Sequence, residues 1–313
     1  MTISKLKKQF LEISDALELG NPSIPEKDYW VVSLLAMLEN VNSEHHRLVF
    51  SGGTALAKSN IKIMRMSEDV DIKLIPTLEF LNKGTEAKKR ARKVLVEDLL
   101  AMLAEHPYLK YFKKTVLDSY RYVEIEIEYP QQYNQAPCLR PYIKLELIET
   151  IELQGVESRT ISSLVAQSYK QPAEVSAMSC ISIDSTLVEK VLSMLRRTMS
   201  VKRDPKRMDD ETLVRHIYDV HCISLEHMID MDVLKPIFNA VLEEDKARYG
   251  NQHQEFVDDP HNELKLGLEE LETNELFHTR FDEFVAPMVY NSDPHNFDTC
   301  FASFKGISEQ LIA

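Results

Sequence analysis

The chain has 313 residues, a formal net charge of −13, and a composition that is 44% hydrophobic and 28% charged. These values are typical of globular proteins, and the length favours two domains because single hydrophobic cores stop growing near this size. The sequence contains no apolar run of about eighteen residues and no apolar signal segment near its start, which predicts a cytoplasmic protein without a membrane span.

Helices and strands alternate in the first half of the chain. Apolar residues recur at helical spacing in residues 1–20 and 28–40, and a long helix is predicted for residues 85–105. Short apolar or alternating runs predict strands at residues 47–51, 69–75, 121–129 and 142–149. This order predicts an α+β fold in which helices flank a small mixed sheet.

The pattern becomes mainly helical beyond about residue 160. Helices are predicted at residues 185–198, 209–227, 232–249 and 262–278. We therefore expect two domains, residues 1–165 with the sheet and residues 166–313 mainly helical, and assign no regular element after about residue 286. The cysteines form no Cys-x-x-Cys pair, which indicates reduced thiols; they are Cys138, Cys180, Cys222 and Cys300.

Charge is distributed unevenly along the chain. Residues 220–313 contain 19 acidic and 6 basic residues, whereas residues 1–219 contain 31 of each. Residues 196–207 carry six basic residues and one acidic residue, which is the kind of patch that binds a phosphate backbone. The acidic last third is interpreted either as a solubilising surface or as a docking face for a protein.

A Gly-Gly-Thr turn follows the first predicted strand. Backbone amides of Gly52 and Gly53 can approach a phosphate closely because glycine has no Cβ, and Thr54 can add a hydroxyl or cap the next helix. A plain strand-to-helix turn would use the same residues, so the turn alone does not establish a phosphate site.

Two aspartates lie a short distance beyond the turn. Asp69 and Asp71 are two residues apart on a predicted strand and therefore project from one face, where unpartnered carboxylates would repel each other. Bound Mg²⁺ removes this repulsion, and its usual ligands are one or two carboxylates together with substrate phosphates. Arg65 and Ser67, just upstream, are candidates to contact those phosphates.

A third acidic ligand is predicted on a later strand. In residues 142–149 the apolar residues face the core, which leaves Glu146 on the opposite face, and a two-metal site commonly uses such an acid. Three glutamates on the preceding strand compete for this role, but their regular alternation is typical of a solvated face; they are Glu124, Glu126 and Glu128.

The helical part offers fewer candidates. Lys190 lies off the apolar stripe of its helix, and Arg215 and Asp219 are spaced to form an ion pair on a helix surface. His216 and His221 are five residues apart and diverge around a helix, which disfavours a metal site there.

Taken together, these motifs resemble the AbiEii/AbiGii-type nucleotidyltransferase toxins of the DNA polymerase beta-like superfamily. The matching stretches run from residue 50 to about residue 222 and are FSGGTAL, RMSEDVDI, IKLEL, EKVLSMLRR and RHIYDVH. The resemblance implies a catalytic first domain, and a helical second domain that completes the nucleotide site and binds the acceptor.

The resemblance also implies roles for single residues. Nucleotide phosphates would be held by Gly52, Gly53, Thr54 and Ser67. Mg²⁺ would be held by Asp69 and Asp71, with Glu146 as the third acid. Lys190 and Asp219 would match the lysine and aspartate of the family's helical region.

The implied activity is Mg²⁺-dependent transfer of a nucleotide from an NTP to RNA, such as the 3′ end of tRNA, by a toxin of a toxin–antitoxin or phage-defence system. The basic segment would bind the RNA, and an antitoxin protein is a possible partner. Two alternatives stay open at this point: transfer to a protein or small-molecule acceptor, and a nucleotide-binding module without turnover.

Overall fold

The computed structural model describes residues 2–136, 139–150, 155–290 and 294–313. Cys138, one of the four thiols considered above, lies outside these residues. The chain forms two compact units. The first comprises the residues up to Ser59 together with Met66–Ile181, and the second comprises Asn60–Arg65 together with Ser182–Ala313.

A seven-stranded mixed sheet forms the first unit, with strand order β3-β4-β5-β2-β1-β7-β6. The strands are β1 (His46–Ser51), β2 (Val70–Pro76), β3 (Lys110–Leu117), β4 (Tyr122–Glu128), β5 (Ile143–Glu149), β6 (Val156–Ile161) and β7 (Val175–Ile181). Central β2 is antiparallel to β1 and parallel to β5, whereas β1 is parallel to β7. The α+β class predicted from the sequence is confirmed.

Six helices accompany the sheet in the described part of the first unit. They are α1 (Ile3–Ala16), α2 (Ser23–Leu38), α3 (Gly52–Ala57), α4 (Leu78–Leu81), α5 (Thr85–Glu105) and α6 (Leu164–Ser168). The apolar stripes of α2 and α5 pack with the inward residues of the strands, including Trp30, Leu99, Ile72 and Leu145. Alternation along β2 and β5 buries every second residue and leaves the intervening polar residues on the opposite, half-buried face.

Three strands of the sheet were not predicted. β3 is an edge strand whose residues are mostly exposed, so it lacks the alternation of a strand with one buried face. β6 lies at the end of the predicted first domain and β7 within the predicted helical domain, where no strand was expected. Because β7 pairs with β1, the chain between residue 166 and Ile181 belongs to the first unit, and the division lies at Ser182 rather than at residue 166.

The second unit is mainly helical in its described residues. The principal ones are α7 (Ile183–Arg203), α8 (Arg215–Glu226), α9 (Met231–Tyr249), α10 (Gln254–Asp258), α11 (Pro260–Thr273), α12 (Leu276–Phe284) and α13 (Phe297–Ile312). The predicted apolar stripe of α7 is buried, from Leu187 to Leu195. Helix α13 was not predicted. No helix in the described part of the chain combines the length and apolar character needed to cross a bilayer.

Candidate active site

The glycine turn lies against the carboxylate of Asp71 in β2. β1 ends at Ser51, and Gly52 opens α3 with a φ of +77°, a conformation that residues with a side chain rarely adopt. A Cβ at this position would overlap the Asp71 carboxylate, with its Cγ only 2.8 Å away. Glycine is therefore required both by the backbone conformation and by the close approach of the carboxylate.

Two hydroxyl groups meet beside this turn. Thr54 Oγ1 and Ser67 Oγ are 2.9 Å apart, within hydrogen-bond distance, although 13 residues separate them. The sequence analysis considered Thr54 as a helix cap, and this was wrong because α3 already begins at Gly52 and Thr54 lies in its first turn. The hydrogen bond instead joins the glycine turn to the segment that leads into β2.

A row of acidic residues crosses the sheet next to the turn. In the parallel β2–β5 pair Asp71 is the register partner of Glu146, and in the antiparallel β4–β5 pair Glu146 is the partner of Glu124. Side chains of directly opposed residues in neighbouring strands contact each other across about 5 Å. The structure thus places Asp71 and Glu146 together as predicted, and it adds Glu124, which the sequence analysis had assigned to a solvated face.

Two cationic side chains balance these acids. Arg140 hydrogen-bonds to Asp69, and Lys144 Nζ lies 2.5 Å from Glu146 Oε1 and 3.8 Å from Asp69 Oδ2. Burial lowers the pKa of Lys144, but the nearby carboxylates of Asp69 and Glu146 outweigh burial and raise it. Lys144 is therefore a firmly charged group between two of the predicted metal ligands. Sequence reasoning assigned a role to neither cation.

The donor set suits a hard divalent cation. Carboxylate oxygens are ligands that Mg²⁺ prefers. Asp71 in β2 and Glu146 in β5 supply them from paired positions, and Asp69 supplies one from just before β2. The bare backbone at Gly52 leaves room beside the Asp71 carboxylate that any Cβ would fill. The residues present thus fit Mg²⁺ chemistry, with Lys144 and Arg140 supplying positive charge in the same region.

A second group of possible ligands lies at the other end of β1. Among the described residues, donor atoms of Glu44, His45 and Glu79 all come within 4.8 Å of one another. Asp69, Asp71 and Glu146 do not form a group this tight among the described residues, and the Asp69 carboxylate accepts a hydrogen bond from Arg140. The sequence analysis missed the group of Glu44, His45 and Glu79, since Glu79 lies far along the chain from the other two residues and no motif links them.

In the second unit, Asp219 is the centre of a buried ion cluster. Arg65 donates two hydrogen bonds of 2.6 Å to its two oxygens, and Lys190 Nζ lies 2.6 Å from Oδ2. Asp219 is fully buried, and Arg65 and Lys190 are 2% and 6% exposed. Burial raises the pKa of Asp219, but the two cations outweigh burial and hold it far below its ordinary value.

This cluster corrects two expectations. The surface ion pair between Arg215 and Asp219 was wrong, because Asp219 points into the unit and binds Arg65 and Lys190. Arg65 was expected to contact phosphates, yet its guanidinium is committed to Asp219 and is almost inaccessible. Lys190 and Asp219, which the resemblance paired, do contact each other; burial is the main cause that lowers the pKa of Lys190.

Most basic residues of the 196–207 segment have acidic partners. Within the described residues, five ion pairs involve this segment: Arg196–Asp245, Arg197–Asp210, Lys202–Glu270, Arg203–Glu263 and Arg207–Asp204. Three of the acidic partners come from the acidic last third of the chain. Part of the acidic surplus therefore neutralises this segment, a role that the sequence analysis did not consider.

Comparison with known proteins agrees with this arrangement. Residues 34–303 match the family described as nucleotidyl transferase AbiEii toxin, type IV TA system. No curated protein matches the chain.

Among solved structures the fold is similar to MenT4, a nucleotidyltransferase toxin of Mycobacterium tuberculosis H37Rv, with a TM-score of 0.57 and 14% identity. That likeness covers 99% of this chain and 89% of MenT4, and at this identity it shows a shared fold. The family match spans most of the sequence, and the chain therefore belongs to the AbiEii nucleotidyltransferase toxin family of type IV toxin–antitoxin systems.

Proposed function

We propose that this protein transfers a nucleotide from an NTP to an RNA acceptor, such as the 3′ end of tRNA, in a Mg²⁺-dependent reaction. The observation that carries the proposal is the pairing of Asp71 with Glu146 on adjacent parallel strands, directly beside the backbone of Gly52. A glycine turn next to clustered carboxylates suits a bound polyphosphate and its metal.

In this proposal the glycine turn binds the triphosphate. Amides of Gly52 and Gly53 donate to phosphate oxygens, and the joined hydroxyls of Thr54 and Ser67 orient the same group. Asp69, Asp71 and Glu146 are the residues that would hold Mg²⁺. When bound, the ion would supply positive charge that stabilises the negative charge on the phosphate oxygens during transfer.

In this proposal the row of acidic residues also supplies the base that accepts the proton of the acceptor hydroxyl. The acceptor hydroxyl oxygen forms a bond to the α-phosphorus, and the bond from the α-phosphorus to the bridging oxygen breaks to release pyrophosphate. A carboxylate oxygen of Glu146 takes up the hydroxyl proton, and Lys144, whose Nζ lies 2.5 Å from Glu146 Oε1, holds this side chain in place. We assign Lys190 to stabilising negative charge on the phosphates, and Asp219, which contacts its Nζ, to positioning it.

Partners and location follow from the family rather than from the geometry. The type IV toxin–antitoxin description supports a cognate antitoxin as a partner. We propose a cytoplasmic protein, because NTPs and RNA acceptors are found there. We also propose that the second unit completes the nucleotide site and binds the acceptor.

The test is label transfer from each of the four α-labelled NTPs to purified tRNA, with Mg²⁺ present. We expect one NTP to label RNA, and Asp71→Asn and Glu146→Gln to lower the rate at least about a hundredfold, as loss of a charge-stabilising group does. Asp98→Asn, which removes an exposed acid from α5, is the control and should retain the wild-type rate.

Each outcome of this test is informative. Label found on protein or on a small molecule would preserve nucleotidyl transfer and exclude RNA as the acceptor. Absence of label with all four NTPs, or an Asp71→Asn variant as active as the wild type, would refute the proposed activity.

A further inference from the structure

A cavity of about 400 Å³ lies in the second unit, between the C-terminal halves of α7 and α9. Its polar lining includes three arginines, two serines and a tyrosine: Arg196, Arg197, Arg207, Ser193, Ser200 and Tyr249. Among the residues that the structure describes, no acidic side chain lines it. In a chain whose net charge is −13, a recess with three guanidinium groups and no carboxylate is a marked local departure.

Two of the three arginines, Arg196 and Arg197, are held in place by aspartates outside the cavity lining. Arg196 donates to Asp245 at 2.8 Å and lies over the ring of Tyr249 at 4.0 Å. Arg197 donates to Asp210 at 3.0 Å, and neither aspartate belongs to the cavity lining. A guanidinium has five N–H donors in a fixed plane, so such anchoring orients a group that still has donors for a ligand.

Arg207 is fixed in a different way. It donates to Ser200 Oγ at 2.9 Å and to Gln252, both of which line the same recess. The cavity is therefore a preformed arrangement of cationic donors and hydroxyls. Planar guanidinium groups and hydroxyls are the side chains that recognise phosphate oxygens.

We propose that this cavity binds the phosphodiester backbone of the acceptor RNA, an assignment that rests on the nucleotidyl transfer proposed above. It narrows the RNA contact from the whole 196–207 segment to the residues that face this recess. Lys202 and Arg203, by contrast, are held by Glu270 and Glu263 away from it.

A neighbouring recess limits where the phosphates can lie. A second cavity of about 190 Å³ adjoins the first and shares Arg197, Val201 and Met208 with it. Its lining also includes the carboxylates of Asp209, Asp210 and Glu270, which repel phosphate, so the proposed phosphodiester contact is confined to the first cavity. Met208 lies on the rim of both, with 95% of its surface exposed.

Met208 allows a test that leaves the arginine contacts intact. Met208→Glu places a negative charge at the rim of both recesses. Met228→Glu places the same charge on another methionine of this unit, which is 79% exposed and lines neither cavity. The affinity of each full-length protein for a fluorescent single-stranded RNA is measured by anisotropy without NTP, so that no transfer occurs.

We expect Met208→Glu to weaken RNA binding about fivefold or more by repulsion, and Met228→Glu to bind as the wild type does. The double variant Arg197→Gln/Arg207→Gln should reduce the salt dependence of binding by about 1.4 in logarithmic slope, the value for two lost phosphate contacts on a single strand. Lys206→Gln, which removes a neighbouring charge outside the lining, should leave that slope unchanged.

Equal RNA affinities for the two glutamate variants would overturn the assignment. It would also be overturned if Met208→Glu weakened the binding of free NTP without weakening the binding of RNA. Binding of an acidic antitoxin segment in place of RNA, with the same dependence on Met208, would overturn it too. Because RNA binding is measured without turnover, failure here leaves the label-transfer test to decide the activity by itself. Conversely, cavity-dependent RNA binding without label transfer would refute only the activity.

Discussion

The guanidinium of Arg65 binds both oxygens of Asp219, although 154 residues separate them in the sequence. The bond joins the segment between the glycine turn and the β2 aspartates to helix α8 of the second unit. Both groups are buried, so neither charge has water to replace a lost partner. The stability of this unit therefore depends on the pair remaining intact.

Replacing Arg65 tests this dependence. We expect Arg65→Ala to lower the free energy of unfolding by about 3–5 kcal/mol, because the fully buried Asp219 would keep only Lys190 as a cationic partner. Arg65→Lys should recover only part of the loss, since an ammonium cannot make the two-pronged contact. Urea denaturation measures the effect, and Arg90→Ala, at an exposed position of α5, is the control. Equal midpoints for Arg65→Ala and Arg90→Ala would contradict it.

Gly52→Ala is expected to damage both stability and activity. The new Cβ would need a φ of +77° and would overlap the Asp71 carboxylate, at a cost of about 1–3 kcal/mol in strain alone. Gly84→Ala is the matched control, because a Cβ there meets nothing within 4 Å. Gly52→Ala should have both a lower thermal midpoint and a lower transfer rate than Gly84→Ala. Equal midpoints and rates for the two variants would show that the Asp71 carboxylate can move aside freely.

Metal removal should abolish transfer without unfolding the protein. Excess chelator is expected to stop label transfer, and added Mg²⁺ to restore it, because phosphates beside Asp71 and Glu146 would otherwise meet these carboxylates without a divalent cation between them. Circular dichroism should stay unchanged, since Arg140 and Lys144 still balance the acids. Full activity in chelator would rule out the metal site, and loss of helical signal would indicate a structural metal instead.

Stability should fall as the pH rises through the weakly acidic range because of Glu26 in α2. Burial raises the pKa of this carboxyl from 4.5 to about 7. Between these values the folded state holds a proton that the unfolded state has released, so unfolding becomes easier as the pH rises. Glu26→Gln should remove this component and gain about 2–4 °C in thermal midpoint relative to the wild type between pH 5 and pH 8.

The backbone N–H groups of Gln132 and Tyr133 donate to different oxygens of Glu26, so the single amide oxygen of the Glu26→Gln variant keeps one of these two bonds at every pH. The control is Glu105→Gln, an exposed acid at the end of α5. A midpoint difference between Glu26→Gln and the wild type that does not change with pH would disprove the assignment.

Elements with one buried face could be predicted from the sequence. Alternation identified β2 and β5, and helical spacing gave α5 over residues 85–105 as the structure has it. β3 could not be found this way, because an exposed edge strand has no face to bury. Helix α13 carries a buried aromatic stripe that includes Phe297 and Phe304, but the polar residues before it obscured its start.

The candidate site, like the fold, could be predicted from the sequence only in part. Alternation placed Asp71 and Glu146 on the outer faces of their strands, yet their pairing depends on the parallel register of β2 and β5, which no local pattern encodes. The Arg65–Asp219 contact is still further from local sequence rules, since it depends on where a short segment packs. Such contacts are tertiary and become visible only when the chain is folded.

The crossing of the chain between the units has a consequence for how the protein is made. Asn60–Arg65 belong to the second unit, whereas the residues on both sides of them belong to the first. During translation Arg65 emerges from the ribosome long before Asp219, so the guanidinium has no carboxylate to bind until α8 has been synthesised. The segment Asn60–Arg65 is thus completed late, and a nascent chain that stops before α8 carries Arg65 without its buried carboxylate partner.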